Sequence, residues 1–524
     1  MRGPKRVSQG ILTLSLLSLA TCASDETYEG GGGKRDFQQT RGWSADDHEF
    51  FLYGSMCDEF VPERALFAFE KTYPDLFPGG DLRAYGVIRE GDGILPVGFS
   101  RAKLDHLGGQ WAWGINCASC HTAAVREREG GRPMLVYGPA GTFNVFDFLG
   151  AVAVAMVRTQ EFDTLARFLE HYLDDAEALP YLKHELIRQG EAIRAAIAED
   201  PFGSKGMQPR ELHDIEPYDL DLTGRRVRRG DDLVPAVQAL LRLFHNVRAC
   251  AGLPEELVDT GATAPGPGRT DAFGVLAIGL LGQVPEASAP VKYGILFNLD
   301  RRDWVHWDGN NNNPLGRNVA AVLGLGAPSG DKLHVPHLLR HTTLTQSIRP
   351  PIWPWKVDEA AAERGAKHYA AHCASCHDGP QDDSKLFDTD TDPNRLVAFK
   401  AEYARGFNEW LRKQDVPGYA DKSDWVRPTG KYWAAPMGGV WARAPYLHNG
   451  SVRTMWDLLT TPSSRPKTWR RGTTVYDREA MGYANEGHFE FDTTKSGNSA
   501  AGHDYGTGLS DGEKRELIEY LKTR

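Results

Sequence analysis

Apolar residues recur at helical spacing along several stretches of this chain and alternate at strand spacing almost nowhere. Phe148 to Leu173, Leu182 to Glu199, and Leu233 to Arg248 behind Asp231 and Asp232 each show the period of an amphipathic helix. Glu359 to Tyr369 does the same behind Asp358, whose carboxylate is suited to cap a first turn. Ser510-Asp-Gly-Glu513 reads as a capping box, opening a last helix with Leu517, Ile518 and Leu521 on one face. Glycine and proline punctuate much of the rest, and Arg349-Pro-Pro-Ile-Trp-Pro-Trp355 cannot continue a helix. The pattern predicts a mainly α chain with long irregular connections.

The first apolar run is of another kind. Ile11 to Ala20 follows Arg2, Lys5 and Arg6 and is about half the roughly 20 residues that span a bilayer, as in a signal peptide. Its end, Leu19-Ala20-Thr21-Cys22, resembles the lipobox of bacterial lipoproteins, in which the cysteine is lipidated; Thr21 stands where a smaller residue is usual, and ordinary cleavage near Ala23 is the alternative. Ser24 to Thr40, with its run Gly30 to Gly33, reads as a flexible tether. The expectation is an exported protein, periplasmic or held at the outer membrane through lipidated Cys22.

With 524 residues, 41% hydrophobic and 25% charged, the chain has the composition of a soluble protein of two or three domains. Its net charge of −10 argues against nucleic-acid partners. Loss of Arg2, Lys5 and Arg6 removes three positive charges and leaves −13, which suits a basic redox partner.

Four of the seven cysteines lie in two identical pentapeptides, Cys117-Ala-Ser-Cys120-His121 and Cys373-Ala-Ser-Cys376-His377. C-x-x-C-H is the attachment signal of c-type haem: two thiols one turn apart reach the two vinyl groups of a porphyrin, and the histidine that follows projects its imidazole at the iron. A thioredoxin-like pair leaves the histidine unexplained, and a four-cysteine zinc site ignores its repetition. Two covalent haems therefore divide the chain into a signal peptide at 1–21, a tether at 22–45, an N-terminal haem domain at 46–348 with helical insertions, a linker at 349–355 and a C-terminal haem domain at 356–524. Cys57 and Cys250 are left either for one disulfide or as two buried thiols.

A helix running into C-x-x-C-H and another closing the chain make residues 356–524 similar to a class I cytochrome c. That resemblance implies a sixth iron ligand in the loop before the last helix, here His503 in Gly502-His-Asp-Tyr-Gly506, with Met437 and His448 as rivals. A haem held by His377 and His503 is closed to substrate and suits electron transfer. For the haem at His121 no sixth ligand stands out; His306 is the nearest candidate.

Trp307-Asp308-Gly309 and Ala444-Pro-Tyr-Leu-His-Asn-Gly-Ser451 resemble the bacterial di-haem cytochrome c peroxidase and MauG superfamily. Leu95-Pro-Val-Gly-Phe-Ser100, Gly114-Ile-Asn-Cys117, Gly268-Arg-Thr-Asp-Ala-Phe-Gly274 and His306-Trp-Asp-Gly-Asn310 resemble its rubber-oxygenase (RoxA-like) branch more closely. The resemblance implies an N-terminal reactive haem on His121 that takes O2 or peroxide, a C-terminal electron-transfer haem on His377 and His503, and Trp307 as the electron bridge between them. Trp307 also reads as a large core aromatic. Two departures follow. Gly279 to Pro290 holds no histidine where those peroxidases carry a removable ligand, and Asp308 to Pro351 holds no glutamate where they carry a proton-transfer acid. Apolar Val319-Ala-Ala-Val-Leu-Gly-Leu325 lies there instead, which favours O2 over peroxide heterolysis. The alternative is a non-enzymatic electron carrier with both haems six-coordinate. Asn310 to Asn313 reads either as a polar loop or as a Ca2+ neighbourhood.

Overall fold

Asp358 accepts the Ala361 N–H and starts the helix Glu359–His372, and Ser510 with Glu513 closes a capping box on the helix Asp511–Lys522. The two helices cross where Gly365 meets the backbone of Glu516; a Cβ on Gly365 would stand 1.9 Å from that carbonyl oxygen, so only glycine admits the approach. Leu517, Ile518 and Leu521 are buried beneath the crossing. A short helix, Ala374–His377, turns off the end of the first and carries the second pentapeptide.

The computed structural model describes residues 34–35, 38–90, 95–104, 110–159, 162–173, 263–274, 287–324, 333–413 and 425–524. The signal peptide, Cys22, Cys250 and the helices expected at Leu182 to Glu199 and Leu233 to Arg248 lie outside them. Among the described residues, helices are joined by sheets of only two or three strands, and no helix is long and apolar enough to cross a membrane.

The first pentapeptide is framed by strands, which the sequence pattern did not reveal. Phe99–Leu104 pairs antiparallel with Gln110–Ile115, and Thr122–Val125 pairs with Met134–Tyr137. Thr122–Val125 is buried at every position, so the polar–apolar alternation that betrays a half-exposed strand is missing. The apolar stretch from Phe148 to Leu173 is two helices, Val145–Arg158 and Phe162–Leu173. At the break the Thr159 hydroxyl bonds back to the Ala155 carbonyl and meets the Tyr73 hydroxyl at 2.6 Å.

The later part of the segment expected as a tether is packed. Gln39 is 1% exposed, donates to the Tyr137 carbonyl and accepts from the Tyr137 N–H, which fastens the chain to an inner strand. Ser44 then caps the helix Ala45–Tyr53. The proline-rich segment 349–355 is also fixed. Trp353 is buried edge-on against Trp441, whose indole N–H donates to the Pro351 carbonyl. One apolar cluster runs from Phe51, Leu66 and Trp113 through Phe297 to Trp441, Leu517 and Leu521, so both halves of the chain share a core.

Replacing Gly365 by valine forces the crossing helices apart and is expected to cost roughly 1–3 kcal/mol. Thermal denaturation reads the loss; an unchanged midpoint would show that the crossing yields without strain.

Candidate haem-binding site

Each pentapeptide is presented by one turn of helix, but the two turns are built differently. The strand Gln110–Ile115 ends at Asn116, whose side chain accepts the Ala118 N–H and caps Cys117–His121. The turn is pressed against Gly98, where a Cβ would lie 1.9 Å from the Ser119 nitrogen and where φ is +82°. The carbonyls of Cys120 and His121 accept N–H groups from Gly141 and Gly138. This backbone clamp holds the histidine inward. The His121 ring lies 6.1 Å from that of Tyr293, and burial, with the charge of Arg317, pulls its pKa down to about 3. It is a neutral imidazole. Burial pushes the Cys117 thiol up to about 12 and Cys120 to about 11, so neither is a thiolate.

At the second pentapeptide, His377, Cys373 and Cys376 line a cavity of about 170 Å3 with His503 on its wall. The His377 Nδ1–H donates to the Ala435 carbonyl at 2.7 Å, which leaves Nε2 with its lone pair and fixes the ring. His377 and His503 have ring centroids 6.3 Å apart. Imidazoles on opposite sides of one metal ion, each bonded at about 2 Å, have centroids roughly 6 to 6.5 Å apart. This spacing, the two thiols and the apolar wall made by Leu458, Leu459, Leu517 and Leu521 fit a porphyrin with two axial histidines. Met437 and His448 line the same cavity, but the His448 ring stacks on Tyr432 at 4.0 Å and 18°.

His503 sits in a loop with φ of +49°. Its N–H donates to the Thr389 carbonyl, and Arg465 donates to the carbonyls of Ala500, Gly502 and His503. Arg465 is therefore a positioning residue that the sequence did not single out. Burial, with His377 opposite, pulls the His503 pKa down to about 4.

Trp307 is tied from both sides. Its indole N–H donates to the Lys292 carbonyl at 2.9 Å, its own carbonyl accepts from Trp433, and its ring lines the second cavity. The dipeptide Lys292–Tyr293 connects the two regions, because Lys292 lines the cavity of His377 while Tyr293 faces His121. His306 is half-buried, with Nδ1 bonded to Asn310 at 2.7 Å. Three of the four asparagines read as a Ca2+ neighbourhood have their side-chain oxygens engaged within the loop: Asn310 with His306, Asn311 with the Asn313 N–H, and Asn313 with the Gly316 N–H. Asp308 forms a buried pair with Arg395 at 3.0 Å.

Cys57 is disulfide-bonded, and Cys250 lies outside the described residues. His334 and His337 approach Cys57 as a metal-like group, but a disulfide sulfur offers no thiolate. Beside it, Asp58 and Glu59 are fully buried. Both Asp58 oxygens lack hydrogen-bond partners, and burial followed by the charge of Glu59 raises its pKa well above the usual range.

Comparison with known proteins falls on these regions. Residues 430–470 match the family described as RoxA-like, cytochrome c-like, and residues 360–410 match subunit III of cbb3-type cytochrome c oxidase. Uncharacterized protein y4iM of Sinorhizobium fredii is 30% identical over 290 residues, 46% of this chain and 66% of that one. Uncharacterized protein y4iJ of the same strain is 28% identical, over 93% of this chain and 91% of its own length. The cytochrome-c peroxidase IdrP2 of Pseudomonas sp. strain SCT is 32% identical over 121 residues, 20% of this chain and 33% of the peroxidase. The C-terminal part of the chain is thus cytochrome c-like, and domains of that kind carry covalently bound haem c and transfer electrons.

Two expectations follow. His503→Ala removes one ring of the facing pair, so a low-spin bis-histidine signal in the EPR spectrum of the haem protein should be lost; its persistence would mean that His448 serves instead, and a histidine–methionine signal in the wild type would mean that Met437 does. For Asp58, a folded pKa above the unfolded one near 3.8 means that stability is lost as pH rises from the unfolded toward the folded value. Asp58→Asn should therefore melt higher than the wild type at about pH 8, by roughly 1–3 kcal/mol, with the gap closing near pH 4. The opposite trend in denaturation curves would show a satisfied carboxylate.

Proposed function

We propose that the chain is an exported di-haem c-type oxidoreductase. The haem on Cys117, Cys120 and His121 serves as the reactive centre, and the haem on Cys373, Cys376, His377 and His503 relays electrons. Bound haem supplies an iron that changes between ferric and ferrous and, where one face is open, a place for O2 or peroxide. The observation that carries the reading is an asymmetry: His377 faces a second histidine at 6.3 Å, whereas the ring near His121 among the described residues is that of Tyr293.

The chain's own groups support these roles. Ala435 and Arg465 orient the two histidines of the relay site. Trp307, bonded to Lys292 and lining the relay cavity, is the electron path toward the Tyr293 side. The helix Pro314–Gly324 brings Val319 and Val322 into an apolar cluster against which Cys117 packs. The absence of a glutamate from Asp308 to Pro351, with the apolar residues Val319 and Val322 in its place, favours O2 activation of RoxA type over peroxide heterolysis. A small basic redox protein is the expected electron partner, and lipidation at Cys22 the expected anchor.

A carrier with both haems six-coordinate is the second reading, and half-buried His306 is the residue that favours it: Nδ1 is taken by Asn310, which leaves Nε2 for a ligand role. EPR and optical spectra before and after adding O2 and peroxide separate the two. The enzyme reading expects one high-spin or ligand-responsive haem beside one low-spin haem; two low-spin haems indifferent to both ligands would overturn it.

A further inference from the structure

Buried positive charge lines the relay cavity. Lys292 and Arg443 line that cavity, and no aspartate or glutamate does. Lys292 is 3% exposed and Arg443 7%. The Lys292 ammonium donates to the carbonyls of Arg443 and Pro445 and stands 5.1 Å over the Trp307 ring. Arg443 donates to the Gly438 carbonyl and keeps a buried Nε–H without a partner. Arg302 lies with its guanidinium 3.2 Å over Trp433, a cavity-lining ring, and its Nε–H is also buried and unpartnered. None of the three has a carboxylate partner among the described residues, whereas buried Arg395 has Asp308.

The charges of these residues act on one another and on a neighbour. Burial lowers the pKa of Arg302 to about 9 and of Arg443 to about 10; burial, followed by the charges of Arg471 and then Arg443, lowers Lys292 well below its usual range, and Arg443 also depresses Arg302. Holding such groups charged away from water is costly without a counter-charge, so the cluster calls for an anion. Hydrogen bonds to carbonyls satisfy some N–H groups but neutralise nothing.

We propose that Lys292, Arg302 and Arg443 form a buried carboxylate-binding site that takes the propionate groups of the relay haem. The inference rests on the haem reading of the second pentapeptide and deepens it. Thioethers at Cys373 and Cys376 would hold the porphyrin in the cavity that Lys292 and Arg443 also line, and those two residues would supply N–H donors and charge to its propionates, with Arg302 adding charge from behind Trp433. Charge matching at this wall accordingly fixes porphyrin orientation and tunes the iron.

The test uses the full-length haem protein. Haem content by alkaline pyridine comes first: wild-type protein with no haem at Cys373 and Cys376 overturns the functional reading and this proposal together. With haem attached, Lys292→Met and Arg443→Met leave propionate charge uncompensated, which stabilises ferric iron. The midpoint potential of the low-spin haem should fall, and its propionate bending band in resonance Raman should shift. Arg443→Lys should stay near the wild type in both. A methionine variant that takes no haem supports the proposal if Arg443→Lys takes it, and opposes it if both fail alike. Unchanged potential and unchanged band in both haem-loaded methionine variants overturn the proposal while leaving the haem reading intact. Sodium formate, added to the wild type at constant ionic strength, should change neither readout; a formate-dependent potential would mean that the cations serve a free carboxylate instead.

Discussion

The contact of Gly365 with the backbone of Glu516 is the constraint on which the site of His377 and His503 depends. Two helices at that distance cannot slide or rotate independently, because backbone meets backbone with no side chain to give way. One of them delivers Cys373, Cys376 and His377 from its C-terminal end; the other closes the loop that holds His503. A 6.3 Å separation between two imidazoles is therefore set by helix geometry, with the Ala435 carbonyl and Arg465 supplying the final orientation.

Around that frame the chain distributes charge unevenly. Near the first pentapeptide it buries acids, Asp58 and Glu59, and keeps the Cys117 and Cys120 thiols neutral. Along the wall of the relay cavity it buries cations without acids. Neither arrangement is favourable by itself, because an isolated buried charge is costly. They mark the places where stability has been given up for function or for a bound group.

The second site was legible because its determinants are local. Asp358, the capping box at Ser510 and Glu513, and the Leu517–Ile518–Leu521 face are short-range signals, and the structure has helices at each. His503 was legible from its place in a loop. Part of the first site's surroundings was hidden because the strand Thr122–Val125 is buried at every position, which erases alternation. Phe148 to Leu173 kept a helical period across a break that only the Thr159 hydroxyl and its contact with Tyr73 explain. Gln39 looked like part of a loose polar segment, and its two bonds to Tyr137 come from 98 residues away. Lys292, Arg302 and Arg443 carry no sequence mark either. A lysine or arginine is ordinary until folding removes water and brings no carboxylate.

Phe51, Trp113, Trp441 and Leu517 belong to one apolar cluster, with Trp353 of the proline-rich connection inside it. Family resemblance reaches this chain in short pieces, 360–410 and 430–470, as though the second haem segment were a portable cassette. Its packing is not portable. Cutting at the connection would strip Trp441 of the ring and the carbonyl it rests on and leave both halves with an apolar face in water. In engineering terms the two pentapeptide segments form one indivisible part, to be grafted or shuffled together or not at all.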